Sequence, residues 1–127
     1  QASSKPDLAQ YMGTDLQQLA AMFEGMENAG ATDGTTEYSN GTIIISDSFG
    51  NSQVGYISIN GPCEYAICGV EYGMSWDDAC RLTEAHSQSV LSRTDSHVRY
   101  VLEDRTILGI STADGETVSS INYFAPE

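Results

Sequence analysis

Basic residues are scarce in this chain of 127 residues. One Lys and four Arg stand against eighteen Asp and Glu, which gives a formal net charge of −13 at pH 7. The acids are spread over both halves of the chain, so the surplus is not an acidic tail. A field of this sign repels the phosphates of nucleic acid and of anionic lipids. We therefore expect no nucleic-acid partner.

Long hydrophobic runs are also missing, and none approaches the ~20 residues that a membrane-spanning helix needs. We therefore expect no direct membrane insertion of this segment. The chain opens with the polar residues QASSKPD, and we expect residues 1–6 to be a disordered leader. Such a leader is typical of a mature domain whose targeting segment has been removed. The expected location is extracellular or at the cell surface, as a lipoprotein anchored through a segment outside this sequence.

Few residues suit metal binding, because the chain has two His and three Cys. Cys63 and Cys68 enclose four residues and could form a disulfide only if the segment turns, since in a straight strand their side chains point to opposite faces. Free thiols and a disulfide both stay open. Cys80 lies on a helical pattern and fits a small buried hydrophobe. Zinc would need a fourth ligand, and neither His86 nor His97 supplies one at a recognisable spacing. No metal or other cofactor is expected.

Sequence motifs of catalysis are absent as well. The chain has no G-x-S-x-G nucleophile elbow, no phosphate loop and no calcium-loop spacing. Asp95 and His97 would share one face of a strand, and one of the many Ser residues could join them in space, but no sequence motif marks such a nucleophile. The sequence therefore predicts a protein that is not an enzyme.

Two stretches of the chain resemble each other, GTDLQQLA at 13–20 and GMSWDDAC at 73–80. Asp15 and Ser75 are predicted helix N-caps, because each is followed three residues later by a side chain that can bond back. Apolar positions then recur at helical spacing. The first helix is expected to end between Gly25 and residue 30.

Each predicted helix is followed by the pattern of a β-hairpin. TIIIS and TILGIS are first strands, FGN and ADG are turns, and the second strands, Val54–Ile59 and Val118–Tyr123, share the form V-x-x-I. The apolar stretch Tyr65–Tyr72 and the alternating stretch His97–Asp104 are predicted as further strands.

These patterns predict an α+β fold, with residues 7–127 as a single domain. The domain would consist of two tandem helix-plus-antiparallel-strand repeats, at about 7–62 and 63–127. One continuous antiparallel sheet would carry both helices packed on one face, and its other face would be open to water. The alternative is a chance match, because caps and turns draw on few residue types.

The motif YGMSWDDACRL at 72–82 and the final strand DGETVSSINY at 114–123 resemble the β-lactamase inhibitor protein-like fold. That tandem-repeat fold is shared with small outer-membrane assembly lipoproteins and with uncharacterised exported Gram-positive lipoproteins. The resemblance is specific in GMSWDDA and weak in the first stretch, where GTD replaces GMS. It implies the fold, a secreted setting and a role in protein binding, and it carries over no functional residue.

Tyrosines suggest where a partner would bind, because five of the seven fall in or beside predicted strands. Tyrosine is enriched at protein interfaces, where it brings rigid area and a hydroxyl group. The predicted partner-binding face consists of Tyr56, Tyr65, Arg99 and Tyr100. The alternative is that these tyrosines only cover the sheet.

The function predicted from the sequence is a non-catalytic exported module that binds an unknown protein. The net charge favours a basic partner, and we expect the module to be a monomer. One alternative is an acidic secretion-type chaperone, which would be an obligate dimer. Another is a small hydrolase.

Overall fold

The protein is described from a computed structural model, which covers residues 5–23, 25–32, 35–47 and 52–125. A 3-10 turn spans Leu8–Tyr11. The helices are α1 (Leu16–Ala20) and α2 (Trp76–Glu84), and the strands are β1 (Glu27–Thr32), β2 (Thr35–Ser39), β3 (Ile43–Asp47), β4 (Val54–Ile59), β5 (Ser87–Arg93), β6 (His97–Leu102), β7 (Ile107–Thr112) and β8 (Val118–Phe124).

The eight strands form one antiparallel sheet in the order β1-β2-β3-β4-β8-β7-β6-β5. Chain order therefore runs inward from β1 to β4 in one half and inward from β5 to β8 in the other. The halves meet where β4 pairs with β8, and Ser58 lies opposite Asn122 at that junction. Along each strand the side chains alternate between the two faces of the sheet, and residues that pair across neighbouring strands lie on the same face.

The two faces of the sheet differ. One face is covered by the 3-10 turn, by α1 and by α2, which contacts β5, β6 and β7. The sheet side chains on this covered face are almost fully buried, as are those of the helices against them, and they form the core: Leu16, Leu19, Ile43, Ile45, Ile57, Ile59, Trp76, Ala79, Val98, Tyr100, Leu108, Ile110, Ile121 and Tyr123. Each Val, Leu or Ile side chain of this core stabilises the fold by about 1.5–3 kcal/mol.

The predicted fold of two helix-plus-strand repeats with both helices packed is wrong. Within the described residues only α2, with nine residues, is a helix of more than two turns, whereas α1 has five residues and the segment before it is a 3-10 turn. The chain leaves α1 after Ala20, well before the expected end, and Gly25 then takes a φ of 72° that helices do not use. Strands, not helices, make up most of the regular secondary structure.

The strand predictions were partly right. Both predicted hairpins are present as β3–β4 and β7–β8, although the FGN turn lies outside the described residues. The stretch Tyr65–Tyr72 is not a strand, because it folds back at Cys68 and Gly69, whose φ values are 53° and 82°. Strands β1 and β5 were not predicted from the sequence, since ENAGAT and SQSVLSR lack a run of alternating apolar residues.

The approaches to the two helices make equivalent hydrogen bonds. The N–H of Gly13 donates to Val54 O (2.8 Å), and the N–H of Gly73 donates to Val118 O (2.9 Å). Both glycines have a φ above 80°, which a residue with a Cβ rarely adopts. The predicted caps are confirmed, since the side chains of Asp15 and Ser75 accept bonds from the first turns of α1 and α2.

Asp7 ties the beginning of the chain to the turn at 68–69. Its carboxylate accepts the N–H groups of Ala9 (2.9 Å), Cys68 (2.9 Å) and Gly69 (2.8 Å). The expected leader of residues 1–6 extends outside the described residues, but within them the Lys5 ammonium lies 3.4 Å from a Glu71 carboxylate oxygen. One carboxylate thus caps the 3-10 turn and closes the tight turn.

Replacing Asp7 should therefore destabilise the fold. We expect Asp7→Ala to lower the free energy of unfolding by about 2–4 kcal/mol, because three part-buried N–H groups lose a charged acceptor. Asp7→Asn should lose less, since the amide keeps one acceptor oxygen. Urea unfolding followed by circular dichroism measures both. The control is Asp95→Ala, in the exposed turn before β6. An equal loss in Asp7→Ala and Asp95→Ala would contradict the role of Asp7.

Candidate functional site

The candidate site is the sheet face opposite the helices, which we call the open face. No helix of the described segments packs on it. The register of β3, β4, β8, β7 and β6 places on this face the side chains of Ile44, Tyr56, Ser58, Asn122, Phe124, Ile107, Ser111, His97, Arg99 and Val101, together with the bare backbone of Gly109. Most of these are half-buried, and Arg99 is exposed.

An aromatic pair lies at the junction of β4 and β8. The ring centroids of Tyr56 and Phe124 are 5.0 Å apart with an interplanar angle of 47°. The guanidinium of Arg99 lies over the Phe124 ring, 5.6 Å from its centroid. This distance is within the range of a cation–π interaction. The arrangement forms an apolar platform with a positive charge on it.

Asn122 fixes the polar side chains beside that platform. Its Oδ1 accepts the Tyr56 hydroxyl (2.9 Å) and the Ser58 hydroxyl (3.0 Å), and the amide of Asn60 donates to Ser58 Oγ (3.0 Å). Because the carbonyl oxygen of Asn122 takes both hydroxyls, its NH2 group is the part that can donate to a ligand.

His97 joins Arg99 to β7. Arg99 Nε donates to His97 Nε2 at 3.2 Å, so the ring proton sits on Nδ1, which donates to Ser111 Oγ at 2.7 Å. Burial and the neighbouring Arg99 guanidinium lower the pKa of His97 below its ordinary 6.5. His97 is therefore neutral at pH 7 and holds Arg99 by accepting its Nε–H.

Gly109 leaves the space in which these side chains lie. It sits opposite Arg99 on one side and Asn122 on the other. A Cβ at this position would be 3.4 Å from His97 Cε1, 3.5 Å from Arg99 Cγ and 3.7 Å from Asn122 Cβ. Arg99 can therefore cross β7 and reach Phe124 on β8.

The four residues of the predicted face are not all together. Tyr56 and Arg99 lie on the open face, where Phe124 joins them. Tyr100 is fully buried on the covered face, and its hydroxyl donates to Glu84 Oε2 (3.0 Å). Tyr65 is half-buried on the covered side, where its ring packs edge-on against that of Phe23 at 5.1 Å. Tyr100 and Tyr65 therefore contribute nothing to the open face.

Sequence reasoning missed Phe124, Asn122, His97 and Gly109 as members of this surface. A signal for Phe124 and Asn122 was present in the alternation along β8. Since Ile121 and Tyr123 point into the core, Asn122 and Phe124 must point to the other face of the sheet. No sequence signal reveals Gly109, since its role depends on two strands that lie apart in the chain.

A second concave region lies on the covered side, between the 3-10 turn, the end of α2 and the turn after β6. It is a cleft of about 740 Å³ whose lining includes Asp7, Cys68, His86, Asp104 and Tyr123. Burial and the nearby Asp7 carboxylate raise the pKa of Cys68 to about 12, and burial also raises that of Tyr123. Both groups keep their protons at pH 7, so the cleft holds no thiolate nucleophile.

The remaining chemistry of the described residues is sparse. Cys63, Cys68 and Cys80 are free thiols. Among the residues placed by the structure, no three His, Cys, Asp or Glu side chains are grouped so that they could hold a metal ion. The helices of the described ranges are too short or too polar to cross a bilayer.

Comparison with known proteins gives a fold likeness only. The chain matches no protein family and no curated protein. Its fold is similar to that in the 1.5 Å crystal structure of an extracellular protein containing a SCP domain from Bacillus anthracis str. Ames, with a TM-score of 0.66 and 11% sequence identity. The match covers 98% of this chain and 47% of that one, so the chain spans about half the length of its structural neighbour.

At 11% sequence identity the likeness shows a shared fold, and no residue of the neighbour can be assigned a counterpart role in this chain. The name of that neighbour gives a SCP domain and does not mention the β-lactamase inhibitor protein-like fold. The resemblance of GMSWDDA to the latter family therefore stays a prediction.

The role of Gly109 can be tested with two substitutions of different size. Gly109→Ala places its Cβ at ordinary contact distances, so Arg99 and His97 should stay in place. Gly109→Val should displace both, because its two methyl groups need the space they occupy. We expect the ring-current shift of the Arg99 side-chain protons to fall by about half or more in the Val variant. Equal spectra for Ala and Val would contradict this role.

The pKa of His97 is a second readout. We expect NMR titration of the His97 Hε1 proton to give a pKa below 6.5. This pKa should rise in Arg99→Gln and stay unchanged in Arg105→Gln. His97 binds a proton more tightly in the unfolded chain than in the folded protein, because folding lowers its pKa. The free energy of unfolding should therefore decrease as the pH falls from 6.5 through the pKa of the folded state, and then level off. A His97 value above 6.5 would contradict the contact with Arg99.

Proposed function

We propose that the protein is a non-catalytic, exported interaction module that binds another protein through the open face. The observation that carries this proposal is the platform of Tyr56, Phe124 and Arg99 on a sheet face that no described helix covers. Aromatic residues and Arg are the side chains enriched at interface centres. A sheet face is a broad surface, which suits a macromolecule better than a small ligand, because small ligands bind in concave pockets.

The arrangement of His97 supports a binding role over a hydrolytic one. In a serine hydrolase, a carboxylate bonds to the histidine and keeps it basic. Here the second partner of His97 is the Arg99 guanidinium, which makes the ring a weaker base. Ser111 would therefore not be activated by its hydrogen bond to His97.

An extracellular location is part of the proposal. It is supported by the structural likeness to an extracellular protein. Anchoring as a lipoprotein, through a segment outside this sequence, would keep the module at the cell surface.

Affinity capture from the surface fraction of the native organism tests the proposal. Immobilised wild type is compared with Tyr56→Ser and with the control Val90→Ser. Val90 is an exposed apolar residue that pairs with Tyr100, so its side chain is on the covered side of the sheet and not on the open face. We expect a protein that is retained by wild type and Val90→Ser and reduced about tenfold or more by Tyr56→Ser. Unchanged melting temperatures show that both variants are folded. The same captured proteins with all three baits would contradict binding through the open face.

A further inference from the structure

The centre of the open face carries a charge opposite in sign to that of the whole molecule, whereas the outer strands β1 and β2 place Glu27 and Glu37 at one edge of the same face. The chain carries eighteen acids, but the five central strands β3, β4, β8, β7 and β6 contain a single one, Asp47. That residue is buried, and its oxygens accept the N–H groups of Thr36 (2.8 Å) and Ser52 (3.3 Å). The one permanent charge that these five strands place on the open face is therefore the guanidinium of Arg99.

Arg99 is held in position without an acidic partner. Lys5, Arg81 and Arg93 each form an ion pair, whereas Arg99 lies within 4.0 Å of no carboxylate of the described residues. Its Nε is bonded to His97 and its plane lies over Phe124. Its terminal amino groups remain as donors, and a fixed guanidinium loses little further side-chain entropy when it binds a carboxylate through two hydrogen bonds.

We propose that the open face recognises a carboxylate next to an apolar side chain on its protein partner. The carboxylate would pair with Arg99, and the NH2 group of Asn122 is a second donor on the same face. The adjacent apolar side chain would pack on Tyr56 and Phe124. This inference rests on the proposed function and adds the chemistry of the partner's contact.

The partner is a protein that carries an exposed Glu or Asp without being strongly acidic overall. The net charge of −13 would repel a strongly acidic macromolecule over long distances. Within contact distance of the Tyr56–Phe124 platform the sign reverses, because Arg99 is the one permanent charge that the five central strands place there. The expectation of a basic partner therefore concerns the approach of the two proteins and not the group that is recognised.

Two matched peptides test this inference. The capped pentapeptide Thr-Phe-Glu-Phe-Thr and its Gln analogue are titrated to millimolar concentration into the protein, and the NMR signals of Phe124 and of the Asn122 side-chain amide are followed. We expect the Glu peptide to bind about fivefold or more tightly than the Gln peptide. The preference should vanish in Arg99→Gln and persist in Arg105→Gln, which removes an exposed Arg from the turn after β6.

The outcomes separate this inference from the proposed function. Equal shifts from both peptides, or a preference that persists in Arg99→Gln, would overturn carboxylate recognition and leave protein binding by the open face standing. If neither peptide shifts the NMR signals, carboxylate recognition is overturned as well. The proposed function is decided separately, by the capture experiment with Tyr56→Ser. A response to a glucuronate oligosaccharide but not to the Glu peptide would show a glycan ligand and also overturn the inference.

Discussion

The pairing of β4 with β8 is the interaction on which the rest of the structure depends. It joins the two halves of the sheet, and its register sets both faces at once. Ile57 opposite Tyr123 belongs to the core, and Ser58 opposite Asn122, one residue further, belongs to the open face. A slip of one residue would move the core side chains into water and the polar ones into the core. The aromatic platform exists because this register also puts Tyr56 opposite Phe124.

Much of the local structure could be predicted because its signals are close together in the sequence. The cap at Ser75, the helix after it and the strands of both central hairpins follow from residues within one turn or one alternation. The early end of α1 and the outer strands β1 and β5 could not be predicted in this way. The conformation of these two strands depends on pairing with β2 and β6, and their own side chains give little apolar pattern.

Only part of the candidate site was predicted correctly, because the prediction placed the neighbouring residues Arg99 and Tyr100 on one face. Adjacent residues of a strand point to opposite faces, so these two cannot belong to one surface. Within β6, Val98, Tyr100 and Leu102 form the buried set and leave Arg99 outside. The alternation along this strand is by itself enough to assign Tyr100 to the core. The contact between Arg99 and Phe124 could not be foreseen, because it crosses β7 at Gly109 and needs the strand order.

Net charge and local charge lead to different conclusions about this molecule. The acids lie outside the five central strands or, for Asp47, are engaged by backbone N–H groups, and Glu27 and Glu37 lie at the β1–β2 edge of the open face. They shape the distant field, whereas Arg99 is the one permanent charge that the central strands place on that face. A guanidinium that is fixed by His97 and by an aromatic ring is ready to bind before a ligand arrives, and this preorganisation lowers the entropy lost on association. Composition alone therefore describes how a partner approaches, whereas the strand register describes which group it must present on contact.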